Sequence, residues 1–385
     1  MFMSHFPRPL MRYIPIVGDI SDKHPAAYWL TRVFVSTANV AQIAFSKAYI
    51  RGFELPDRVV VLIVKIFFKV AYKFPALLVP YDWVLREARL MAEGSSDLMK
   101  KHYDLPLGLM VPMLGEGKLV YPKYTMALWE KGATSLEAAQ IDMMDDVIEK
   151  MGIKDGDSIL DFGCGFGSAA NYFLSRFPNI TVTGVNLSSE QCEYIREKMK
   201  DEDSFLSKGR FRLVEGNINE VHLDEKFDKI LSFGVFCHIS NPTDTFRKLA
   251  SFLKPKGKCF THIFTTQLPH NISTAFTHEF IFPHGRFWHH GALPKCNRDL
   301  RTVRSWYING NNYAQTLAAW FANFEANQET IKDLEYWMGF RKFRRMWRLY
   351  LMFFMTLTAM FDGEFIGNGQ YLMVHADEED EPSPE

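Results

Sequence analysis

The chain has 385 residues, of which 47% are hydrophobic, 15% aromatic and 23% charged, and its 44 basic and 45 acidic side chains give a net charge of −1. This composition excludes collagen-like, disordered and disulfide-stapled proteins, and the length allows two packed units at about 100 to 200 residues per domain. The balanced charge offers no basic footprint for a polyanion, so nucleic acid is not expected as a partner. The five cysteines include no C-x-x-C pair. Scattered free thiols are typical of a reducing compartment and predict a cytoplasmic protein.

Two apolar segments resemble membrane spans in composition. The first, residues 59–79, carries Lys65, Lys69 and Lys73 at intervals of four, which places them on one face of a helix. The second is uncharged for only the 13 residues 349–361, short of the roughly 20 that a spanning helix needs. Neither is predicted to cross a membrane. The first is predicted to be an amphipathic helix packed on a domain, or alternatively a helix on a membrane surface with its lysines towards lipid headgroups.

Five short apolar runs alternate with amphipathic stretches in the middle of the chain. The runs are SILDFG (158–163), ITVTGVN (180–186), RFRLVEG (210–216), DKILSFG (228–234) and KCFTHIF (258–264), and helix-like segments at 168–176, 189–200 and 243–253 lie between them. The last helix is followed by a predicted turn at 254–257. Strands that alternate with helices predict an α/β protein with a parallel sheet.

A glycine-rich loop follows the first predicted strand and precedes a helix. It reads DFGCGFG (161–167), with Gly163, Gly165 and Gly167 two residues apart and Asp161 before them. Glycines let a backbone turn tightly and approach a ligand closely. The spacing differs from the dinucleotide pattern G-x-G-x-x-G and suits a ligand with an amino acid moiety and a ribose but no pyrophosphate. The loop resembles motif I of the class I S-adenosylmethionine-dependent methyltransferases.

Two further loops extend this resemblance. NLSSEQ (186–191) resembles the T-x-S-x-x-Q of cyclopropane fatty acid synthases, which implies that Asn186 binds a ribose hydroxyl with Ser188 and Gln191 nearby. Ser188 is also a predicted N-cap of the next helix. After the third strand, the resemblance implies that Asn217 bonds the exocyclic amine of adenine and that Ile218 packs on the ring.

The segments on either side of this core carry the more specific motifs. HYDL (102–105), YTMALW (124–129) and LEAAQ (136–140) resemble the H-Y-D-L, Y-S-C-A-Y-W and L-x-x-A-Q of the cyclopropane fatty acid synthase family. That resemblance implies that Tyr103, Tyr124 and Thr125 close over the methionine end of S-adenosylmethionine. WYINGNNYAQT (306–316) is similar to the W-L-V-N-G-x-H-Y-A-Q-T of coclaurine N-methyltransferases. The resemblance extends over about residues 50 to 375.

The departures from the family pattern bear on the reaction. Cyclopropane synthases hold a bicarbonate with a Cys, a Glu, a His and a Tyr, which correspond here to Met126, Cys237, His262 and Tyr313. Methylation of an amine needs no base acting on carbon; it needs a nitrogen lone pair in line with the methyl and a group that takes or orients an N–H proton. His238, retained from the family's F-E-H, is predicted to be that catalytic group. His262 and Tyr313 are predicted to orient the substrate.

These motifs predict a Rossmann-like seven-stranded methyltransferase sheet with an N-terminal helical region and a helical cap insertion. The predicted segments are an N-terminal helical region (1–95), a cofactor lid (96–142), the S-adenosylmethionine-binding core (143–267), a substrate cap (268–345), a C-terminal helix and closing strand (346–376) and a disordered acidic tail (377–385). The predicted enzyme is an S-adenosylmethionine-dependent N-methyltransferase of a small amine.

Several alternatives stay open at this point. One is a lipid-modifying enzyme of the cyclopropane synthase type at a membrane surface, and another is a non-catalytic S-adenosylmethionine-binding protein. No metal is expected, although His284, His289, His290 and Cys296 could be interpreted as zinc ligands. A basic cluster, made of Arg341, Lys342, Arg344, Arg345 and Arg348, is predicted to be a solvated helix face or, alternatively, an anionic headgroup site. The sequence does not predict an oligomeric state.

Overall fold

The computed structural model describes residues 25–73, 88–268 and 271–378, with side chains from residue 37 onward. Part of the apolar segment 59–79 and nearly all of the predicted acidic tail 377–385 lie outside the described residues.

The first part of the described chain is helical. Its helices are α1 (Pro25–Arg51), α2 (Asp57–Lys73), α3 (Ser95–Leu98), which continues as a π-helical turn (Met99–Tyr103), α4 (Leu107–Leu114) and α5 (Leu136–Met151). Helix α2 buries Val60, Val64, Phe68 and Ala71, which recur at helical spacing on one face. Helix α5 begins at the N-cap Ser135, whose side chain accepts a hydrogen bond from the Ala138 N–H, and ends at Gly152 in a left-handed conformation.

A mixed sheet forms the centre of the molecule. Its strands are β1 (Ser158–Phe162), β2 (Thr181–Asn186), β3 (Phe211–Glu215), β4 (Phe227–Phe233), β5 (Leu253–Thr266), β6 (Trp288–His289), β7 (Leu300–Ile308) and β8 (Ile366–His375). The order is β3-β2-β1-β4-β5-β8-β7, with the two-residue β6 paired to β5. Strand β8 runs antiparallel to both neighbours and the remaining pairs are parallel. The predicted α/β class with a mostly parallel sheet is confirmed.

Helices cover the sheet on both sides of the core strands. They are α6 (Ser168–Arg176), α7 (Ser189–Lys198), α8 (Pro242–Phe252), α9 (Leu293–Cys296), α10 (Gly310–Ala326), α11 (Gln328–Ile331) and α12 (Phe340–Thr358). A second π-helical turn (Thr277–Ile281) and three short 3₁₀ turns (Phe205–Ser207, Phe236–His238 and Met360–Gly363) complete the elements. Helix α12 packs on α2 through the Phe68 and Phe353 rings, whose centroids are 5.3 Å apart.

Strand β5 and strand β7 differ from the sequence prediction. The predicted turn at 254–257 lies within the bounds of β5, where Lys256 has φ 61° and the register against β4 shifts between Phe227 and Lys229. The turn is therefore retained as a bulge in a longer strand. Strand β7 lies within the predicted substrate cap (268–345), where no strand was predicted, because its middle residues are exposed and it has no continuous apolar run to signal a buried strand.

The surface at α2 contains the three lysines of the predicted amphipathic helix and also contacts the basic cluster. Arg345 and Arg348 of the basic cluster bond Glu54 and Asp57 at 2.6 Å and 2.9 Å, which favours the interpretation as a helix face over a free headgroup site. Helix α2 exposes Leu62 and Ile66, with 55% and 54% of their surface accessible, beside the lysines of the predicted amphipathic face. Of the helices in the described part of the chain, none combines the length and apolarity needed to span a bilayer.

Candidate active site

The glycine-rich loop lies where the sheet order reverses. Strand β1 has β2 on one side and β4 on the other, and in open α/β sheets such a switch point opens a crevice beyond the strand ends. Gly163 has φ +88°, and a Cβ added there would lie 2.2 Å from Val235 Cγ2. A side chain at position 163 is therefore disfavoured both by the backbone conformation and by Val235 in the loop that follows β4.

A first cavity opens beside this loop and contains about 1050 Å³ of empty space, including its opening to solvent. Its wall includes most of the predicted cofactor residues, namely Tyr103, Tyr124, Thr125, Gly163, Gly165, Asn186, Ser188, Gln191 and Ile218. Gly167 and Asn217 are not part of this wall. Gly167 precedes α6 as its N-cap residue, and Asn217 accepts a hydrogen bond from the Asn219 N–H at 3.0 Å.

The side chains at the end of β2 hold the loops of the first cavity together. Asn186 Nδ2 donates to Gly165 O and to Gln191 Oε1, both at 3.0 Å, and its Oδ1 accepts from the Leu187 N–H at 3.0 Å. Both amide hydrogens are thus used within the protein, and only Oδ1 has capacity left for a ligand. Ser188 caps α7, as predicted, and donates to Asp104 Oδ1 at 2.7 Å, which ties the segment that follows Tyr103 to this loop.

Asp161 and Lys123 are ionisable residues that are buried in the wall of the first cavity. Burial raises the pKa of Asp161 to about 7 and lowers the pKa of Lys123 to about 7. Lys123 Nζ donates to Thr125 O at 3.2 Å and to Met126 O at 2.5 Å, which fixes the turn that carries Tyr124 and Thr125 into the cavity. Asp161 belongs to the glycine motif, whereas nothing in the sequence signalled Lys123.

A second cavity adjoins the first and contains about 700 Å³ of empty space, including its opening to solvent. Its wall is mainly aromatic and aliphatic, with Phe264, Phe282, Phe287, Leu317 and Phe354, and includes the polar residues Cys237, Arg286, Tyr313, Tyr350 and Asn368. Five residues line both cavities, namely Tyr103, Tyr124, Thr125, Gly234 and His238. This junction is the place where a group could pass from a ligand in one cavity to a ligand in the other.

His238 is neutral at the junction. Its Nε2 lies 2.7 Å from the Tyr103 hydroxyl. Burial lowers the pKa of His238 to about 4 and raises that of Tyr103 well above its usual range, so both groups are uncharged near pH 7. Among the described residues, His238 Nδ1 and Thr125 Oγ1 are buried without a hydrogen-bond partner. The junction thus contains polar atoms that a ligand could satisfy.

His102 is a further polar residue of the second cavity. It is fully buried and stacks on the Tyr124 ring at 5.0 Å, and its ring centroid is 4.1 Å from that of Phe282. Burial and the neighbouring His238 hold the pKa of His102 well below its usual value. Neither ring nitrogen has a hydrogen-bond partner within the described ranges. The sequence presented His102 only as the first letter of the H-Y-D-L motif.

Of the four residues that correspond to the bicarbonate ligands, two line a cavity. Tyr313 and Cys237 line the second cavity, but Met126 is completely buried in the hydrophobic core. His262 is outside the walls of both cavities; its ring nitrogens face Asn368 at 2.8 Å and Gln370 at 3.2 Å. Of the three predicted catalytic residues, the structure therefore brings His238 and Tyr313 to the cavity and places His262 behind it.

Cys237 is a neutral thiol. Its Sγ donates to Gly234 O at 2.9 Å, and burial raises its pKa to about 12. The five cysteines are all free thiols. The part of the chain that the structure describes contains no group of three or more His, Cys, Asp or Glu side chains that could hold a metal ion.

Comparisons with known proteins identify the family of this chain. A family model described as mycolic acid cyclopropane synthetase matches residues 92–363. The cyclopropane-fatty-acyl-phospholipid synthase of Escherichia coli is 30% identical over 254 residues, which are 66% of this chain and 62% of that enzyme. The (S)-coclaurine N-methyltransferase of Papaver somniferum is 27% identical over 251 residues, 63% of this chain and 69% of the relative.

A solved structure shares the fold. It is coclaurine N-methyltransferase bound to N-methylheliamine and SAH, which aligns with a TM-score of 0.74 at 20% identity and covers 86% of this chain and 99% of that one. The match of the family model extends over most of the described chain and includes the whole wall of the first cavity and that of the second cavity except Asn368. The chain therefore belongs to the mycolic acid cyclopropane synthetase family, a family of S-adenosylmethionine-dependent methyltransferases.

Proposed function

We propose that the protein transfers a methyl group from S-adenosylmethionine to the nitrogen of a small amine. The bound cofactor would supply an electrophilic methyl group on a positively charged sulfonium. The residues of the first cavity fit such a ligand, since the backbone at Gly163 allows close approach and Ile218 offers an apolar contact for adenine. The buried Thr125 hydroxyl and the Asp161 carboxyl lie in the same wall and suit its polar end.

The observation that carries the proposal is that the wall of the second cavity does not contain all four residues that correspond to the bicarbonate ligands. In cyclopropane synthases, bicarbonate removes a proton from the carbocation left after methyl transfer to an alkene. Here Met126 is in the core, the Cys237 thiol already donates to a backbone carbonyl, and His262 is outside the cavity wall. Methylation of a nitrogen lone pair generates no carbocation and needs no such anion, so an amine is the acceptor that this cavity supports best.

The residues of the junction would act by positioning and by charge stabilisation. The ring faces of Tyr103 and Tyr124 attract the positive charge as it moves from sulfur to nitrogen. His238, neutral at pH 7, can take or orient the amine N–H proton. No Asp or Glu is among the described residues of the second cavity, so an amine would bind there in the neutral form that attacks. The aromatic wall around Phe282 and Phe354 excludes water from the reaction.

The test is methyl transfer from labelled S-adenosylmethionine into two extracts of the source cell, one of polar amines and one of phospholipids. His238→Ala is compared with wild type, and His222→Ala, on the exposed surface, is the matched control. We expect label in the amine fraction, a fall of roughly 100-fold or more in His238→Ala and no change in His222→Ala. Label only in the phospholipid fraction would contradict methylation of a small amine. Cofactor binding without transfer to either fraction would favour a non-catalytic S-adenosylmethionine-binding protein.

One observation favours a lipid substrate as the second candidate. The exposed face of α2 alternates Leu62, Ile63, Ile66 and Val70 with the lysines at 65, 69 and 73. Apolar side chains between lysines are typical of a helix that lies in the interface of an anionic membrane. Helix α2 packs on α12, and α12 contributes Phe354 to the second cavity. A membrane at α2 would therefore lie close to the helix that borders the acceptor site.

Co-sedimentation with anionic phospholipid vesicles tests this second candidate. The double variant Leu62→Ser/Ile66→Ser removes two exposed apolar side chains of α2, and Val303→Ser, on the exposed part of β7, removes a comparable side chain elsewhere. A membrane-surface enzyme loses sedimentation in the double variant and keeps it in the control. Equal sedimentation of all three proteins, or none in wild type, would contradict peripheral membrane binding through α2.

A further inference from the structure

Asn368 is a buried polar residue in the wall of the second cavity. It lies on β8 opposite Phe264 of β5, and only 3% of its surface is accessible. Its Nδ2 atom is 2.8 Å from His262 Nε2, and its Oδ1 has no partner within the described part of the chain. A buried amide atom without a partner destabilises a folded protein unless a ligand satisfies it. Asn368 is therefore a candidate contact for the methyl acceptor.

The neighbouring amide of Gln370 has a fixed orientation. Its Oε1 accepts a hydrogen bond from Lys150 Nζ at 2.6 Å, and its Nε2 lies 3.3 Å from Asp146 Oδ2. Lys150 and Asp146 also form a salt bridge of 2.7 Å. If this amide were turned over, its NH₂ group would face the ammonium and its oxygen would face the carboxylate. Gln370 Nε2 therefore remains a donor towards His262 Nδ1, 3.2 Å away.

This orientation determines the tautomer of His262. A neutral imidazole has one N–H and one acceptor nitrogen, and burial keeps the pKa of His262 well below its usual value. Because Gln370 donates to Nδ1, the single proton of His262 is on Nε2. That N–H points at the Asn368 amide and needs an acceptor, and the acceptor atom of an asparagine side chain is Oδ1.

We propose that Asn368 accepts the His262 Nε2–H through Oδ1 and turns its NH₂ group into the second cavity, where it donates to an oxygen of the methyl acceptor. The two ends of a side-chain amide exchange by a half rotation that leaves its shape unchanged. This orientation gives every polar atom of Asn368, His262 and Gln370 a chemically matched partner once the acceptor is bound. Asn368 is then a specificity-determining contact, and His262 is a positioning residue that acts through it.

The inference rests on the proposed function and narrows the acceptor class. The amine to be methylated also carries a hydroxyl, ether or carbonyl oxygen that faces β8. The Asn368 NH₂ group would block the reaction if it donated a hydrogen bond to the attacking nitrogen, since the lone pair of that nitrogen must remain free for the methyl group. The oxygen and the nitrogen of the acceptor therefore occupy different parts of the cavity, with the nitrogen at the junction near Tyr103 and the oxygen at Asn368.

The tautomer of His262 can be measured in the absence of a methyl acceptor. Nitrogen NMR of the full chain labelled with ¹⁵N-histidine distinguishes Nε2–H from Nδ1–H imidazoles, and the His262 signals are assigned by their loss in His262→Gln or by their shift in Asn368→Leu. We expect the Nε2–H form across the neutral pH range. An Nδ1–H tautomer or a cationic His262 would overturn the proposed orientation of Asn368.

The contact is measured with a matched pair of amines, tyramine and phenethylamine, which differ by one phenolic oxygen. Asn368→Leu should raise KM for tyramine roughly tenfold more than it raises KM for phenethylamine, because only tyramine carries the oxygen, and the loss should appear in KM rather than in kcat. Asn323→Leu is the control, since Asn323 bonds Met113 O at 3.1 Å and is outside both cavities. The double variant His262→Gln/Asn368→Leu should match Asn368→Leu, because His262 acts through Asn368.

Two outcomes separate the failure of this inference from that of the proposed function. Equal losses for tyramine and phenethylamine in Asn368→Leu would overturn the contact while leaving N-methylation intact. Transfer by wild type to phospholipid and to neither amine would contradict the proposed function, and the NMR measurement would still decide how Asn368 is oriented.

Discussion

Asp161 and Lys123 place two groups that titrate near neutral pH in the wall of the first cavity. Asp161 becomes an anion as the pH rises through about 7, and Lys123 loses its positive charge over the same range. Both changes favour a ligand with a sulfonium. We therefore expect the Kd for S-adenosylmethionine, measured by titration calorimetry, to fall as the pH rises from about 6 to 8, by at most about tenfold per titrating group and pH unit.

Two variants separate these contributions. Asp161→Asn removes the developing anion and should leave only the part of the pH dependence that comes from Lys123. Lys123→Met removes the cation and should leave the part that comes from Asp161, although it also removes the bonds to Thr125 O and Met126 O. A Kd in wild type that does not change between about pH 6 and 8 would show that neither group titrates there.

Two glycines, one before β1 and one after it, allow the backbone cost and the steric cost of a side chain at a glycine to be measured separately. Gly163 and Gly156 have similar φ angles, +88° and +90°, but only at Gly163 does an added Cβ meet a protein atom. Gly156→Ala should lower the free energy of unfolding by about 1 to 2 kcal/mol, from backbone strain alone. Gly163→Ala should lower it further and abolish cofactor binding, because the loop must move away from Val235.

Urea unfolding measures the stability of both variants, and titration calorimetry measures their cofactor binding. The double variant Gly163→Ala/Val235→Ala separates the steric contact from the backbone strain. Removal of the Val235 methyl groups relieves the contact but leaves the strained φ angle. The double variant should therefore recover to the stability of Gly156→Ala. Equal stability of Gly163→Ala and Gly156→Ala would contradict the steric argument.

Strands β1, β2 and β4 were predictable because each is a short apolar run in which most residues are buried. Strand β7 was not, because it lies at the sheet edge with its middle residues exposed, and edge strands carry only a weak pattern of alternation. Strand β8 is the closing strand predicted within 346–376, but its start was not predictable, since the two glycines there obscure the strand pattern.

The candidate site was predictable where it is built from loops that follow strands. Tyr103, Tyr124 and His238, which the motifs singled out, line both cavities. Lys123 and Asn368 were missed, because a single polar residue in an apolar segment has no local signal of its partners. The motif around His262 identified its strand but could not show that the ring faces Gln370 and Asn368. Such contacts depend on the register of β8 against β5.

Several neutral histidines are buried around the two cavities. We therefore expect the free energy of unfolding to fall in acid. Burial lowers the pKa of His238 to about 4 and holds those of His102 and His262 well below the usual value. Their contribution to stability is fully present above the unfolded pKa of about 6.5 and is lost as the pH falls through the folded values. Each histidine can lower the free energy of unfolding by up to about 1.4 kcal/mol per pH unit.

Asp161 works in the opposite direction over the whole of this range. Its folded pKa of about 7 is above the ordinary value of 3.8, so its contribution is gained as the pH falls between those values. The histidines outnumber it, and we expect the urea midpoint to fall between about pH 6.5 and 4. His238→Gln should reduce the slope relative to His222→Ala. A midpoint that stays constant over that range would show that these histidines are protonated in the folded protein.

The two cavities draw on very different stretches of the chain. The wall of the first extends from Ala92 to His238, whereas that of the second also requires Tyr350, Phe354 and Asn368 from α12 and β8. Contacts between distant parts of a chain form late in folding, because loop closure must precede them. Cofactor affinity should therefore appear before acceptor affinity during refolding. Competence for catalysis would then report that the last strand has inserted between β5 and β7, while cofactor binding alone would report only the core.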